Sequence, residues 1–182
     1  MAHQFTTSYV KDSIGVFHYY KKLAERAIAQ CPDAALFTTL DGESNSIAII
    51  VKHMSGNMRS RWTDFLTSDG EKPDRNRDTE FEAPPTTRAE LMEMWERGWK
   101  LLLGALEPLS DADLTRTITI RTEPHSVMQA INRQVAHYSY HVGQIVYLAR
   151  HFAGDKWQSL TIPKKKSAEF NRQVAAGEKS QR

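Results

Sequence analysis

One long amphipathic stretch, from Ser126 to Phe152, constrains the fold more than any other part of the chain. Ser126 and Gln129, three residues later, form the capping-box pattern that marks the start of a helix. Apolar residues then recur at steps of three and four, as in a helix with one face in a core. They are Val127, Ile131, Val135, Tyr138, Val142, Ile145, Ala149 and Phe152. The pattern predicts a long helix that faces the protein interior.

This helix carries two histidines one turn apart. At roughly 100° per residue, His141 falls inside the apolar face and His137 at its edge. Residues four apart share a helix face, so the two imidazoles can converge on one point. Two neutral imidazoles that face a helical core can form half of a transition-metal site. Boundary histidines with ordinary hydrogen bonds show the same spacing, and a third ligand elsewhere would decide between the two interpretations.

Length and composition favour a single domain over residues 1–182, with a core from about 8–171 and a frayed C-terminal tail. A hydrophobic content of 40% is enough for a core. The 24 basic and 22 acidic residues nearly balance, which argues against a nucleic-acid partner. No apolar run approaches the length of a membrane span, and the single cysteine, Cys31, excludes an internal disulfide. We therefore expect a soluble, cytoplasmic protein with no membrane partner.

Three further helices are predicted upstream of the histidine helix. The first covers about residues 7–30 and is stopped by Pro32, which cannot donate the next helical hydrogen bond. The second covers about residues 45–66 and begins with good N-cap residues. The third begins at a capping box formed by Thr87 and is ended by Pro108.

Two irregular segments connect these helices. Residues 67–85 are polar and contain prolines, and they form either a disordered linker or an ordered crossover. We favour the crossover, because a four-helix bundle needs one of this length when its second and third helices run parallel. Residues 116–120 alternate polar and β-branched side chains, and a turn at Arg121 and Thr122 lets residues 123–125 return as a small hairpin. The predicted fold class is therefore all-α, a four-helix bundle with a possible hairpin before the last helix.

A third histidine, His53, lies on the predicted second helix at the flank of its apolar stripe. Its neighbours on that side of the helix are small or polar: Ser46, Gly56, Asn57 and Ser60. Small side chains leave room for a ligand cleft, although a glycine in a helix can also simply let another helix pack closely.

Three segments together resemble the DinB/YfiT-like superfamily, and more narrowly its uncharacterised subgroup with a DGEK loop. They are HYSYHVGQIVYLARH, IVKHMSGNMRSRW and the crossover sequence DGEKPDRNRDTEF. The resemblance covers about residues 8–171 and implies an up-down-down-up four-helix bundle that is often a dimer. It also implies a divalent metal, commonly nickel, zinc or manganese, held by His53, His137 and His141. Three protein ligands leave a coordination position for water or substrate, as in catalytic sites.

The resemblance implies a metal-dependent enzyme that acts on a small molecule. Some members of the superfamily are thiol transferases or thiol-dependent isomerases that use bacillithiol or mycothiol, and a metal lowers the pKa of a bound thiol. The same site equally suits activation of water by a hydrolase. A non-catalytic dimeric bundle, whose surface is the functional part, is the alternative from another class. The nearly neutral composition argues against the DNA-repair role that the superfamily's name suggests.

Two amides are candidates for orienting a ligand or substrate. Asn57 lies one turn after His53, and Gln144 lies near His141. Ordinary capping or surface hydrogen bonds are the alternative role for both.

Arg61 falls within the apolar stripe of the second helix, where an unpaired guanidinium is costly. We therefore expect a salt bridge from Arg61 to Asp78 or Glu80 in the crossover. Anion binding is the alternative role for this side chain.

Overall fold

The computed structural model describes residues 5–180, which are predominantly helical with one small antiparallel hairpin. The α-helices are α1 (Tyr9–Ala29), α2 (Ile47–Trp62), α3 (Arg88–Leu106), α4 (Val127–Ala153) and α5 (Ser167–Ala175). The hairpin pairs β1 (Thr117–Ile120) with β2 (Glu123–Ser126) directly before α4. No helix within residues 5–180 is long and apolar enough to cross a membrane. The C-terminal tail that the sequence predicts to fray includes residues 181–182, which lie outside the described part.

Side-chain caps set the starts of the helices. Thr87 and Glu90 form a complete capping box at α3, and Ser126 and Gln129 form another at α4. At α2, the hydroxyl of Ser46 accepts the backbone amide three residues later. Each cap satisfies an N–H group that no helical carbonyl can reach. The predicted starts of these three helices and the predicted hairpin are confirmed.

The expected end of α2 near Leu66 is wrong by about one turn, because the helix ends at Trp62. Asp64 follows with a φ of +46°, in the left-handed region that interrupts a right-handed helix. The amides of Thr67 and Ser68 then donate to the Asp64 carbonyl at 3.0 and 2.9 Å. The chain therefore turns back towards α2 earlier than the apolar pattern indicates.

The four long helices share one continuous core. Helix α1 packs mainly on α4 and α2 mainly on α3, while α2 also contacts α4. Phe17 of α1, Trp99 of α3 and Tyr138 of α4 meet with ring centroids 6.0–6.3 Å apart. Tilted and edge-on aromatic contacts of this kind add to the hydrophobic burial of each ring. The core thus holds α2 and α4, the two helices that carry the candidate histidines, side by side.

The crossover between α2 and α3 folds against α2. The ammonium of Lys52 donates to the carbonyl oxygens of Thr79 and Glu82, each at 2.6 Å. The ring of Phe81 stacks on His53, with centroids 4.8 Å apart and an interplanar angle of 27°. These contacts bring the polar crossover residues to the histidine side of α2.

Gly98 allows α3 to approach α2 closely, and its replacement tests that packing. A Cβ at Gly98 would lie 3.0 Å from Met58 Sδ and 3.1 Å from Ser55 Cα, whereas Gly104 on the same helix has no such neighbour within 4 Å. We expect Gly98→Val to lower the free energy of unfolding by about 1–3 kcal/mol through overpacking. Gly104→Val is the control. It should leave the free energy of unfolding unchanged or slightly higher, because the site is open and valine is a slightly better helix former than glycine. Urea unfolding of both variants measures the difference, and equal stabilities would contradict the close approach.

Candidate metal centre

Three histidines from two helices face a common point. His137 Nε2 lies 3.4 Å from His53 Nε2 and 3.1 Å from His141 Nε2. One ligand nitrogen from each ring lies within 4.8 Å of the other two. Two nitrogens that bind one zinc ion at about 2.0–2.1 Å are separated by about 3–3.5 Å in a tetrahedral site. The group can therefore hold a metal ion.

The second nitrogen of each ring has its own hydrogen-bond acceptor. The pairs are His53 with Glu80 at 2.8 Å, His141 with Gln144 at 2.7 Å and His137 with Gln134 at 3.3 Å, measured from Nδ1 to the carboxylate or amide oxygen. With each ring proton on Nδ1, the three Nε2 lone pairs converge. A cation satisfies converging lone pairs, and acceptors on the far nitrogen are what orient histidines that bind metals.

Burial keeps two of the rings neutral. Together with the neighbouring His141, His53 and Arg61, it lowers the pKa of His137 to about 3. Burial also lowers the pKa of His141, although the hydrogen bond with Gln144 acts in the opposite direction. Both rings are therefore neutral at neutral pH, and the neutral imidazole is the form that binds a metal.

Glu80 is a buried carboxylate held from two sides. Arg75 binds it with two hydrogen bonds, Nε to Oε1 at 2.8 Å and Nη2 to Oε2 at 2.9 Å. Burial alone would raise the pKa of Glu80, but hydrogen bonds from His53 and Arg75 lower it below the usual value. Gly56 leaves the space that the carboxylate occupies, since a Cβ there would lie 2.8 Å from Glu80 Cδ. Glu80 therefore stays ionised and accepts the Nδ1 proton of His53.

The DGEK sequence at residues 69–72 joins α2, the crossover and the hairpin. Arg61 Nη1 donates to Glu71 Oε2 at 2.9 Å and to the carbonyl of Gly70. Glu71 Oε2 also accepts from Arg75 Nη1 at 3.2 Å and from Arg121 Nε at 3.1 Å. One carboxylate thus holds three guanidinium groups, and each comes from a different segment.

The expected salt bridge from Arg61 to Asp78 or Glu80 is wrong. Glu80 is bound by Arg75 and by a histidine, and Arg61 pairs with Glu71 instead. The early end of α2 brings residues 69–72 back along the helix, and the carboxylate of Glu71 therefore reaches Arg61.

Asp69 fixes the hairpin turn beside these groups. Its carboxylate accepts the backbone amides of Arg121 and Thr122, each at 2.8 Å. These two residues have φ values of +55° and +65°, a conformation that two-residue hairpin loops usually give to Asn or Gly. The hydrogen bonds from Asp69 hold the turn in this conformation and keep Arg121 close to the site.

A cavity of about 470 Å³ opens beside the histidines. Its lining residues are His53, Asn57, Arg61, Arg75, Arg77, Arg121, Arg133, Gln134 and His137. Asn57 therefore faces the cavity, but its Oδ1 accepts from the hydroxyl of Tyr138 at 2.9 Å and not from a histidine. A larger groove of about 1760 Å³ runs along α1 and the C-terminal segment, and none of the three histidines lines it.

Sequence reasoning missed most of the groups that surround the histidines. Gln134 stands three residues before His137 as Gln144 stands three after His141, so helical spacing was a usable signal for it. Arg75 carried no comparable signal, because it lies in the irregular crossover.

These features define a helical protein whose three-histidine centre can hold a metal ion beside an open cavity. The family model described as protein of unknown function (DUF1572) matches residues 4–166, and the chain belongs to this family. DUF1572 is a DinB/YfiT-like family, in agreement with the resemblance found in the sequence. Neither a curated protein nor a solved structure matches the chain significantly.

Replacement of Glu80 tests its control over His53. We expect Glu80→Gln to weaken metal binding about 10–100-fold, because it removes the charge that accepts the His53 proton. Glu82→Gln is the matched control, since Glu82 is exposed and lies two residues away. Competition with a chromophoric chelator measures both affinities. Equal affinities would show that the carboxylate does not tune the site.

Glu71 and the guanidinium groups of Arg61, Arg75 and Arg121 form a clamp that holds the crossover and the hairpin turn on α2, and replacement of Glu71 tests it. The side chain of Arg61 is 5% exposed, and Glu71→Gln leaves it without its counter-charge. We expect the free energy of unfolding at neutral pH to fall by roughly 1–3 kcal/mol, less than for a pair in which both members are deeply buried. Glu43→Gln, in an exposed loop, is the control.

The same variant should change the acid dependence of stability. Burial would raise the pKa of Glu71, but Arg61, Arg75 and Arg121 together lower it. The stabilisation is therefore present above the unfolded-state pKa of about 4.3 and is lost as the pH falls through the lower folded-state pKa. Glu71→Gln should lose less stability on acidification than the wild type or Glu43→Gln. Parallel pH profiles for all three proteins in urea unfolding would contradict this expectation.

Proposed function

We propose that this protein is a divalent-metal enzyme that acts on a small molecule, with His53, His137 and His141 as the metal ligands. The convergence of three histidine Nε2 atoms beside an open cavity is the observation that carries this proposal. Three protein ligands leave a coordination position free, which distinguishes catalytic from structural sites. Nickel, zinc and manganese are the candidate metals, and imidazole suits the first two best.

We favour thiol transfer with a low-molecular-weight thiol as the reaction. The metal, when bound, would lower the pKa of the thiol, so that its thiolate form can attack an electrophile. No Asp or Glu of the described residues lines the cavity, and Glu80 is already bound by Arg75 and His53. A hydrolase that relied on a carboxylate base would lack that base here. The chain's own contribution is to keep His137 and His141 neutral and to offer Asn57 and Gln134 to the reactants.

The finer features of the fold belong to the same proposal. We propose an up-down-down-up four-helix bundle, supported by the packing of α1 on α4 and α2 on α3 and by the long crossover between α2 and α3. The clamp formed by residues 69–72 supports the subgroup with a DGEK loop. We also propose a cytoplasmic homodimer without nucleic-acid or membrane partners, which the resemblance and the composition support. Exposed Tyr140 and Tyr147 on α4 offer apolar surface for a second copy.

Elemental analysis of untagged protein, purified without a metal column, tests the metal centre. We expect about one metal ion per chain in the wild type, with loss of the ion in His53→Ala and His141→Ala, because an open three-histidine site needs all its ligands. His18→Ala is the control, since His18 is exposed on α1. A metal-free wild type that takes up no ion on titration would leave a non-catalytic bundle.

The metal-loaded protein is then mixed with bacillithiol or mycothiol and an electrophile. Conjugate formation that is lost in His141→Ala supports thiol transfer. Substrate cleavage that proceeds without any thiol supports the hydrolase instead.

A further inference from the structure

The cavity beside the histidines is surrounded by arginines. Five guanidinium groups line it, from α2, the crossover, the hairpin turn and α4: Arg61, Arg75, Arg77, Arg121 and Arg133. The whole chain carries 24 basic and 22 acidic residues, so this concentration is a local feature and not an effect of composition. No carboxylate of the described residues lines the same wall.

Two of these arginines are buried and neutralised. The side chains of Arg61 and Arg75 are 5% and 3% exposed. Arg61 pairs with Glu71, and Arg75 pairs with both Glu71 and Glu80. Their first role is therefore structural, since a buried guanidinium needs a matching carboxylate.

The other three arginines are exposed, and they share a carboxylate partner or have none among the described residues. Arg121 shares Glu71 with the two buried guanidinium groups, and its side chain is 53% exposed. Arg77 lies over the ring of Phe81 at 5.0 Å and has no carboxylate partner among residues 5–180. Arg133 has neither an ion pair nor a side-chain hydrogen bond within the same part of the chain.

The remaining free groups of the wall are also donors. Asn57 uses its amide oxygen for the hydroxyl of Tyr138, which leaves its NH₂ group for a ligand. The buried Nε of Arg61 has no hydrogen-bond partner in the described part of the chain. A wall rich in cationic donors selects a ligand rich in anionic acceptors. Carboxylate and phosphate oxygens both match the guanidinium fork.

We propose that this cavity binds a carboxylate or phosphate group of the substrate, with Arg77, Arg121 and Arg133 as the anion-binding residues. This assignment rests on the proposed metal-dependent function and names its substrate class, a small oxyanion. The reactive end of that molecule reaches the histidine centre, because His53 and His137 belong to the same wall. A volume of about 470 Å³ suits a small molecule.

Titration calorimetry with inorganic phosphate and with succinate tests the site. Arg77→Gln and Arg133→Gln break no ion pair of the described residues, so both variants should fold, and urea unfolding verifies this. Arg150→Gln is the matched control, because it removes the same charge from an exposed position on α4. We expect saturable binding of at least one anion to the wild type and to Arg150→Gln. Each cavity variant should bind about tenfold more weakly, the contribution of one hydrogen bond between charged groups.

The probe that binds more tightly identifies the anionic group of the substrate. Tighter binding of phosphate indicates a phosphate group, and tighter binding of succinate indicates a carboxylate group. Absence of saturable binding to the wild type, or an unchanged affinity in the double variant Arg77→Gln/Arg133→Gln, would overturn the proposal. Retention on heparin at physiological salt that the double variant loses would also overturn it, in favour of a polyanionic partner.

The same titrations with His141→Ala separate this inference from the metal-dependent function, because His141 does not line the cavity. Anion binding in that variant, together with a wild type that takes up no metal, would retain the anion site and remove the metalloenzyme. Metal uptake by a wild type that binds neither anion would retain the metal centre and remove the anion site.

Discussion

The buried ion pair between Glu80 and Arg75 is the interaction on which the histidine centre depends. One carboxylate oxygen accepts the Nδ1 proton of His53, and this directs Nε2 of the same ring towards His137. A carboxylate is tolerated at this depth only when its charge and lone pairs are matched, and Arg75 provides most of that match. Because Arg75 also reaches Glu71, the orientation of one histidine is coupled to the clamp that holds the crossover.

Helix α2 accommodates this arrangement through its small side chains. Gly56 leaves the space for Glu80. One turn later, the hydroxyl of Ser60 donates to the carbonyl of Gly70 at 2.8 Å and accepts the amide of Lys72 at 3.0 Å. Residues that weaken a helix by propensity alone therefore serve here as contact points for the returning chain.

The predictable and unpredictable parts of the structure differ in the range of the interactions that determine them. The helix starts at Thr87 and Ser126 follow from contacts between residues three apart, which a sequence shows directly. The shared face of His137 and His141 follows from helical periodicity. The partner of Arg61 depends on how an irregular crossover returns to α2, and no periodic pattern describes that path. The arginine cluster was hidden for the same reason, since its members come from four separate segments.

The proposed metal site and much of the proposed anion site lie on different kinds of segment. The histidines stand on helices whose positions are fixed by the core, whereas the exposed Arg77 and Arg121 stand in the crossover and the hairpin turn. Exposed positions in such connections tolerate substitution far better than a packed helix interface does. Under the proposed function, variation at these exposed positions would change which molecules reach the histidines, while the helices and the Glu80–Arg75 pair stay as they are. A lineage built on this fold would, under the same proposed function, be able to diversify its substrates without evolving a new metal centre.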